Sequence, residues 1–273
     1  MSTEQPDSKN PENLNHLSAD EVRRLLEFVS KHTPIIVGGQ SINIWATLLQ
    51  GQDPELDALG PLTSKDVDFF HNKEAAKALA DGLEDGKIQI PTGDDFTPNA
   101  AVVTGRLNGR EVVIDFMSAV KGVKDQSLLK HSITFADQEN PEISITLMHP
   151  LDCIRSRLAN INDLKRTSEH ALKQAQASLK IFECYLAYEL SIDDIESRRR
   201  VTRSLQEFEY VITDRHIGRL SHVEFDKSLD LLEILTRYVE DTRLDIRWRE
   251  KILTRIIARV NRKFDVQKAR FEK

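Results

Sequence analysis

From residue 18 onward the chain changes hydrophobic rhythm, and the change divides it. Ser18-Ala19-Asp20-Glu21 has the form of a capping box, and Val22, Leu25, Leu26 and Val29 follow at the spacing of one helix face. A helix is predicted that ends near His32, where Pro34 stops it. Ile35-Ile36-Val37 is a short apolar run with strand character, ending in Gly38-Gly39-Gln40-Ser41. Ile42, Trp45, Ala46 and Leu49 then mark a helix over about 41–49, and a loop with Gly, Pro and acids fills 50–61. Residues 66–70 read as a strand, Asn72 caps a helix to about Leu83, and 87–90 reads as another short strand. Two alternating runs, 100–107 and 110–117, flank Asn108-Gly109, the strongest short-range hairpin signal. A further strand is predicted at 143–147.

After Pro150 the rhythm turns helical, and Gly218 is the one remaining glycine. Helices are predicted near 150–161, 167–190, 192–213, 222–241 and 244–270. The pattern predicts an α+β protein: an N-terminal mixed sheet with flanking helices over 18–149, then an all-helical C-terminal domain over 150–273. The polar segment 1–17, with Pro6 and Pro11 and no apolar core, reads as a disordered leader and not a signal peptide.

Composition adds two constraints. No run approaches the length of a membrane span, so no membrane partner is expected. Cys153 and Cys184, the two cysteines, sit in helix-like, partly apolar settings and read as buried free thiols of a reducing compartment, which makes cytoplasm the expected location. Charge is the more informative quantity. The net charge is -6, yet residues 1–150 carry 13 Lys and Arg against 23 Asp and Glu, and residues 151–273 carry 25 against 21. An acidic half therefore precedes a basic, Arg-rich half, and arginine's planar fork suits phosphate. Solvated helix faces of mixed charge compete with that reading for any single arginine.

The candidate chemistry lies in the acidic half. Gly38 and Gly39 let backbone approach a bound group and aim helix N–H groups at an anion, and Ser41 adds a hydroxyl; a tight turn needs glycines in any case. Asp66 and Asp68, two apart on a predicted strand, share a face, with Val67 and Phe69 turned to the core. Carboxylates so close repel unless a cation neutralises them, and hard oxygen ligands suit Mg²⁺. Asp115 stands amid Val113, Ile114, Phe116 and Met117, where an acid is costly unless it is paired or metal-bound. It reads as a further metal ligand or a proton acceptor; a salt bridge to Arg106 or Arg110 competes. The histidines show no zinc spacing, and no nucleophile elbow or Walker loop occurs. Trp248 reads as a buried helix anchor, with base stacking as the alternative.

A glycine turn at a helix start, Asp-x-Asp on a strand and a third acid on a later strand together resemble the nucleotidyltransferase superfamily of the DNA polymerase β type. The parts here are Gly38-Gly39 with Ser41, Asp66-Val67-Asp68, and Asp115, over roughly 34–118. The long spacing before Asp66, with Thr63-Ser64 just ahead of the acids, looks most like the abortive-infection and toxin–antitoxin branch. The resemblance implies a nucleotidyltransferase-like sheet domain, a pair of Mg²⁺ ions on Asp66, Asp68 and Asp115, and a nucleoside triphosphate attacked at its α-phosphate. By the same resemblance Gly38, Gly39, Ser41, Ser64, Lys65, Arg157, Lys165 and Arg166 would contact the nucleotide. Arg157 stands where such relatives tend to carry Lys, and His170 near where they carry Asp. The implied acceptor is RNA, with the 3′ end of tRNA favoured, and a cognate antitoxin is an implied protein partner. The rival readings are a small-molecule nucleotidyltransferase and a catalytically degenerate binding or antitoxin module.

Overall fold

A computed structural model describes residues 17–62, 66–92, 97–136, 140, 143–219, 221–222, 229 and 231–271. The expected leader, apart from Leu17, and the expected nucleotide contacts Ser64 and Lys65 lie outside the described residues. The architecture is α+β, a mixed sheet with flanking helices followed by helices alone from Pro150 onward among the described residues.

Compactness groups the described residues into two units. One takes Met1–Gln40, Thr63–Ser118 and Thr134–Thr146, and the other takes Ser41–Leu62, Ala119–Ile133 and Leu147–Lys273. The last of the chain's crossings between them follows Thr146.

In the first unit, α1 (Ala19–Val29) opens on the capping box. Ser18 Oγ accepts from Glu21 N at 3.2 Å, and Glu21 Oε2 accepts from Ser18 N at 2.7 Å. Val22, Leu25, Leu26 and Val29 form its buried stripe, as their spacing requires. Strands β1 (Ile35–Val37), β2 (Asp68–Phe70), β3 (Glu84–Gln89), β4 (Asn99–Leu107), β5 (Arg110–Met117), β6 (Ile133–Ala136) and β7 (Ser144–Leu147) form one sheet in the order β3-β4-β5-β2-β1-β7-β6. β1 is antiparallel to β2, β2 is parallel to β5, and β5 and β3 are each antiparallel to β4. The β4–β5 hairpin turns at Asn108 and Gly109, both at positive φ (52° and 77°), as a two-residue turn of that composition demands. Helix α4 (Lys73–Gly82), capped by Asn72 Oδ1, packs on α1, β3 and β4.

Two expectations about this unit need correction. Strand β2 begins at Asp68, so Asp66 sits in a bend ahead of it and not on the strand. Strand β3 starts three residues before the expected 87, and a bulge between Glu84 and Lys87 carries its early, exposed part.

In the second unit, α2 (Gly38–Leu48) begins in the glycines and not at Ser41, and its body packs with the later helices' unit. Asp53 caps α3 (Pro54–Ala58), a short helix inside the expected loop, with Pro54 in its first turn. α5 (Asp125–His131), which the periodicity did not announce, precedes β6. The long helices are α6 (Pro150–Asn162), α7 (Glu169–Ser191) and α8 (Ile195–Thr213). α9 (Leu231–Arg237) lies within the helix expected over 222–241 but stops short of its expected end, residues 238–240 being turn and bend. A π-helical turn, Trp248–Leu253, leads into α10 (Thr254–Phe271). Phe182 on α7 and Phe208 on α8 meet at 5.3 Å between ring centroids, and both are fully buried. Arg259 on α10 grips the buried Glu209 of α8 through two bonds of 2.8 and 2.7 Å. Cys153 and Cys184 are free and buried, and Trp248 is buried as a helix anchor.

Candidate active site

Strand register assembles the acidic row. Val37 on β1 is level with Asp68 on β2, and Asp68 is level with Asp115 on β5. Because β2 and β5 are parallel neighbours, residues level with one another point the same way, about 4.8 Å apart along the sheet. The flanking residues show which way. Val67, Phe69, Ile114 and Phe116 are fully or nearly fully buried, while Asp68 and Asp115 are half-buried. Phe69 and Phe116 stack at 5.2 Å on the core face. The two carboxylates therefore share the opposite face at the end of β1 where the chain turns into α2.

That turn is shaped around Asp68. Gly38 has φ +69°, in the left-handed region that a side chain disfavours. A β-carbon added there would overlap Asp68 Oδ2 and lie 3.1 Å from its Cγ. The missing side chain is thus space that the Asp68 carboxylate occupies. Asp68 in consequence lies against the first residues of a helix, where backbone N–H groups lack intrahelical partners and favour negative charge.

Asp115 accepts a 2.9 Å hydrogen bond from Asn99 Nδ2. Arg106 and Arg110, its proposed salt-bridge partners, pair instead with Asp85 at 3.9 Å and with Glu21 at 3.5 Å. Burial first, and the negative charge of Asp66 second, push the Asp115 carboxyl above the usual carboxylate range, against the smaller pull of Asn99. Asp66 is exposed but close enough to act on Asp115.

Among the described residues no three His, Cys, Asp or Glu side chains are gathered closely enough to hold a metal ion. Asp66, Asp68 and Asp115 are therefore not a closed cage, because Asp66 precedes the strand. The donor set nevertheless fits Mg²⁺, which takes one or two carboxylates and keeps waters or substrate phosphates for its other positions. A cation would also relieve the cost that burial and Asp66 impose on ionised Asp115.

The other expected contacts lie in the second unit. Ser41 is fully buried and its Oγ lies 3.6 Å from Cys153 Sγ, so this hydroxyl is turned into the helical core. Arg157, Lys165 and Arg166 line one surface pocket of about 420 Å³, together with the start of α7. Arg157 Nη1 donates to Gln174 Oε1 at 2.7 Å, and Arg166 N donates to Asn160 O at 3.1 Å. Sequence reasoning missed Asn99, which has no motif of its own and is found only through the β4–β5 pairing.

No family model and no curated protein matches the chain. Among solved structures it is similar to the crystal structure of the Megavirus polyadenylate synthase, with 13% identity and a TM-score of 0.38 over 85% of this chain and 52% of that one. The chain spans about half the length of that protein. A score this low defines neither family nor activity.

Proposed function

We propose that the protein is a metal-dependent nucleotidyltransferase, moving an NMP group from a nucleoside triphosphate to an acceptor hydroxyl. The observation that carries this reading is the level pairing of Asp68 with Asp115 beside the glycine-opened start of α2. That arrangement offers two oxygen ligands next to backbone donors suited to a phosphate chain. Asp68 and Asp115, with Asp66 at the rim, would hold Mg²⁺, which when bound neutralises charge building on the transferred phosphoryl group. Asp115 would accept the proton of the acceptor hydroxyl. The hydroxyl oxygen forms the new bond to the α-phosphorus. The bond from that phosphorus to the bridging oxygen breaks, and pyrophosphate leaves with the electron pair. Gly38 and Gly39 would admit the phosphates to the backbone N–H groups. Arg157, Lys165 and Arg166, on one pocket of the helical unit, are the candidate triphosphate contacts of that half.

RNA, with tRNA first, is the acceptor we favour, because the helical half is rich in arginine. A toxin or phage-defence setting and a cognate antitoxin belong to the same proposal through the motif spacing.

The test incubates the protein with Mg²⁺ and each α-labelled nucleoside triphosphate, with total tRNA or without acceptor, beside Asp66→Ala/Asp68→Ala and Asp115→Asn. Label moving to RNA, lost in both variants, supports the proposal and names the nucleotide. Label moving only to the protein or to a small molecule replaces the acceptor. No transfer and no Mg²⁺-dependent nucleotide binding would overturn the enzyme and leave a binding module.

A further inference from the structure

The helical unit holds a second pocket, of about 270 Å³, whose polar groups the proposed reaction does not use. Its walls come from α5, α6, α7 and α8. Four cations, Lys130, Arg155, Arg200 and Arg203, face two carboxylates, Asp152 and Glu207. The carboxylates are already engaged. Asp152, 1% exposed, accepts from Arg155 Nη1 at 2.6 Å and from Ser127 Oγ at 3.0 Å; Glu207 accepts from Arg155 Nη2 at 3.4 Å. Arg200 is held by Glu189 at 2.8 Å. Lys130 and Arg203 make no ion pair or hydrogen bond among the described residues, so two positive charges on this pocket have no carboxylate partner among them.

The neutral polar groups are donors too. His149 Nδ1 accepts from Leu151 N at 3.1 Å, which places the ring proton on Nε2 of the neutral imidazole. Burial, then His131 and Arg155, hold that imidazole neutral by drawing its pKa down to about 3. No described residue accepts from Nε2. Ser204, 9% exposed and lining the same pocket, has a hydroxyl with no hydrogen bond among the described residues. That hydroxyl is therefore free to donate to an acceptor on a ligand in the pocket. Ile133, Leu151 and the ring of Tyr185 supply an apolar wall beside these donors.

We propose that this pocket binds a phosphate monoester dianion: Lys130 and Arg203 match its charge, Ser204 and His149 donate to its oxygens, and Ile133, Leu151 and Tyr185 take its carbon body. The volume falls just below the roughly 300–1,000 Å³ of sites for drug-sized ligands, so the ligand is a small phosphoester or the phosphorylated end of a longer chain.

The test titrates the full-length protein in EDTA, which silences any metal-dependent site, with inorganic phosphate, ribose 5-phosphate, and short oligoribonucleotides bearing a 5′-phosphate or a 5′-hydroxyl. Calorimetry reads binding. Saturable binding of ribose 5-phosphate is expected, weakened about tenfold or more in Lys130→Ala/Arg203→Ala, since charge-assisted hydrogen bonds are the strong ones. Both substituted side chains are exposed, so the variant should keep the wild-type circular dichroism spectrum. Ser204→Ala should weaken binding by itself. Asp68→Ala should leave it unchanged. Preference for the 5′-phosphate oligonucleotide over ribose 5-phosphate would make the source a nucleic-acid end, and the reverse a free metabolite. The proposal falls if no phosphate compound binds, if Lys130→Ala/Arg203→Ala binds as wild type, or if binding is lost instead in Lys165→Ala/Arg166→Ala, which would move it to the pocket at the start of α7.

Discussion

Replacing Gly38 by Ala tests whether the start of α2 is shaped around the Asp68 carboxylate. Two costs are expected. The left-handed backbone at φ +69° disfavours any β-carbon by about 1–2 kcal/mol. The overlap with Asp68 Oδ2 and Cγ adds about 1–3 kcal/mol, the range for overpacking a well-filled site. Gly38→Ala alone should therefore cost about 2–5 kcal/mol. Asp68→Ala removes the two nearest atoms and leaves Asp68 Cβ at 3.3 Å from the added carbon, a contact the backbone absorbs. In that background Gly38→Ala should cost only the backbone share, about 1–2 kcal/mol, so the coupling between the positions is about 1–3 kcal/mol. Urea unfolding followed by far-UV circular dichroism, in EDTA, measures all four proteins of the cycle. An equal cost of Gly38→Ala with and without Asp68 would refute the steric reasoning and reduce the glycine to a turn former.

Asp115→Asn should abolish nucleotidyl transfer yet raise the melting temperature at pH 7 in EDTA, because it removes a charge that burial and Asp66 disfavour. The folded carboxyl pKa is raised, so its cost is fully present above that pKa and vanishes below the unfolded value near 4; the advantage of the variant over wild type should shrink as pH falls from 7 to 4. His149 gives the opposite slope. Its folded pKa of about 3 lies below the unfolded 6.5, so its contribution is complete above pH 6.5 and is lost on acidification, by about 2 kcal/mol between pH 6.5 and 5. His149→Gln should flatten that part of the stability profile in thermal melts. Arg155→Met leaves the buried Asp152 with Ser127 as its remaining side-chain partner among the described residues and should cost about 3–5 kcal/mol in urea unfolding, with a partial recovery when Asp152→Asn is added.

The elements legible in the sequence are those whose signal is local. The capping box at Ser18, the Asn108-Gly109 hairpin and the stripe of α1 each need only a few neighbouring residues, and each stands in the structure. The glycine turn and the acids can be read as a set only through the motif they resemble; that Asp68 and Asp115 are level depends on the pairing of β2 with β5, which no local signal announces. The expected strand spacing does not extend to Asp66, because β2 begins two residues later. The short α3 was overlooked although Asp53-Pro54 is a cap followed by a first-turn proline. Asn99 and the inward turn of Ser41 were beyond sequence reasoning. One depends on β4 lying beside β5, the other on a contact 112 residues away with Cys153.

The chain's repeated crossings bear on how the protein can be handled. It leaves the sheet-bearing unit after Gln40, returns at Thr63, leaves again after Ser118, returns at Thr134 and departs for good after Thr146. A fragment ending near residue 149 would carry stretches 41–62 and 119–133 away from the helices they pack with, and a fragment starting at 150 would lack them. Neither half is therefore a transplantable part. Truncations, fusions and chimaeras should respect the whole span of both units, with inserted tags confined to positions outside the five crossings.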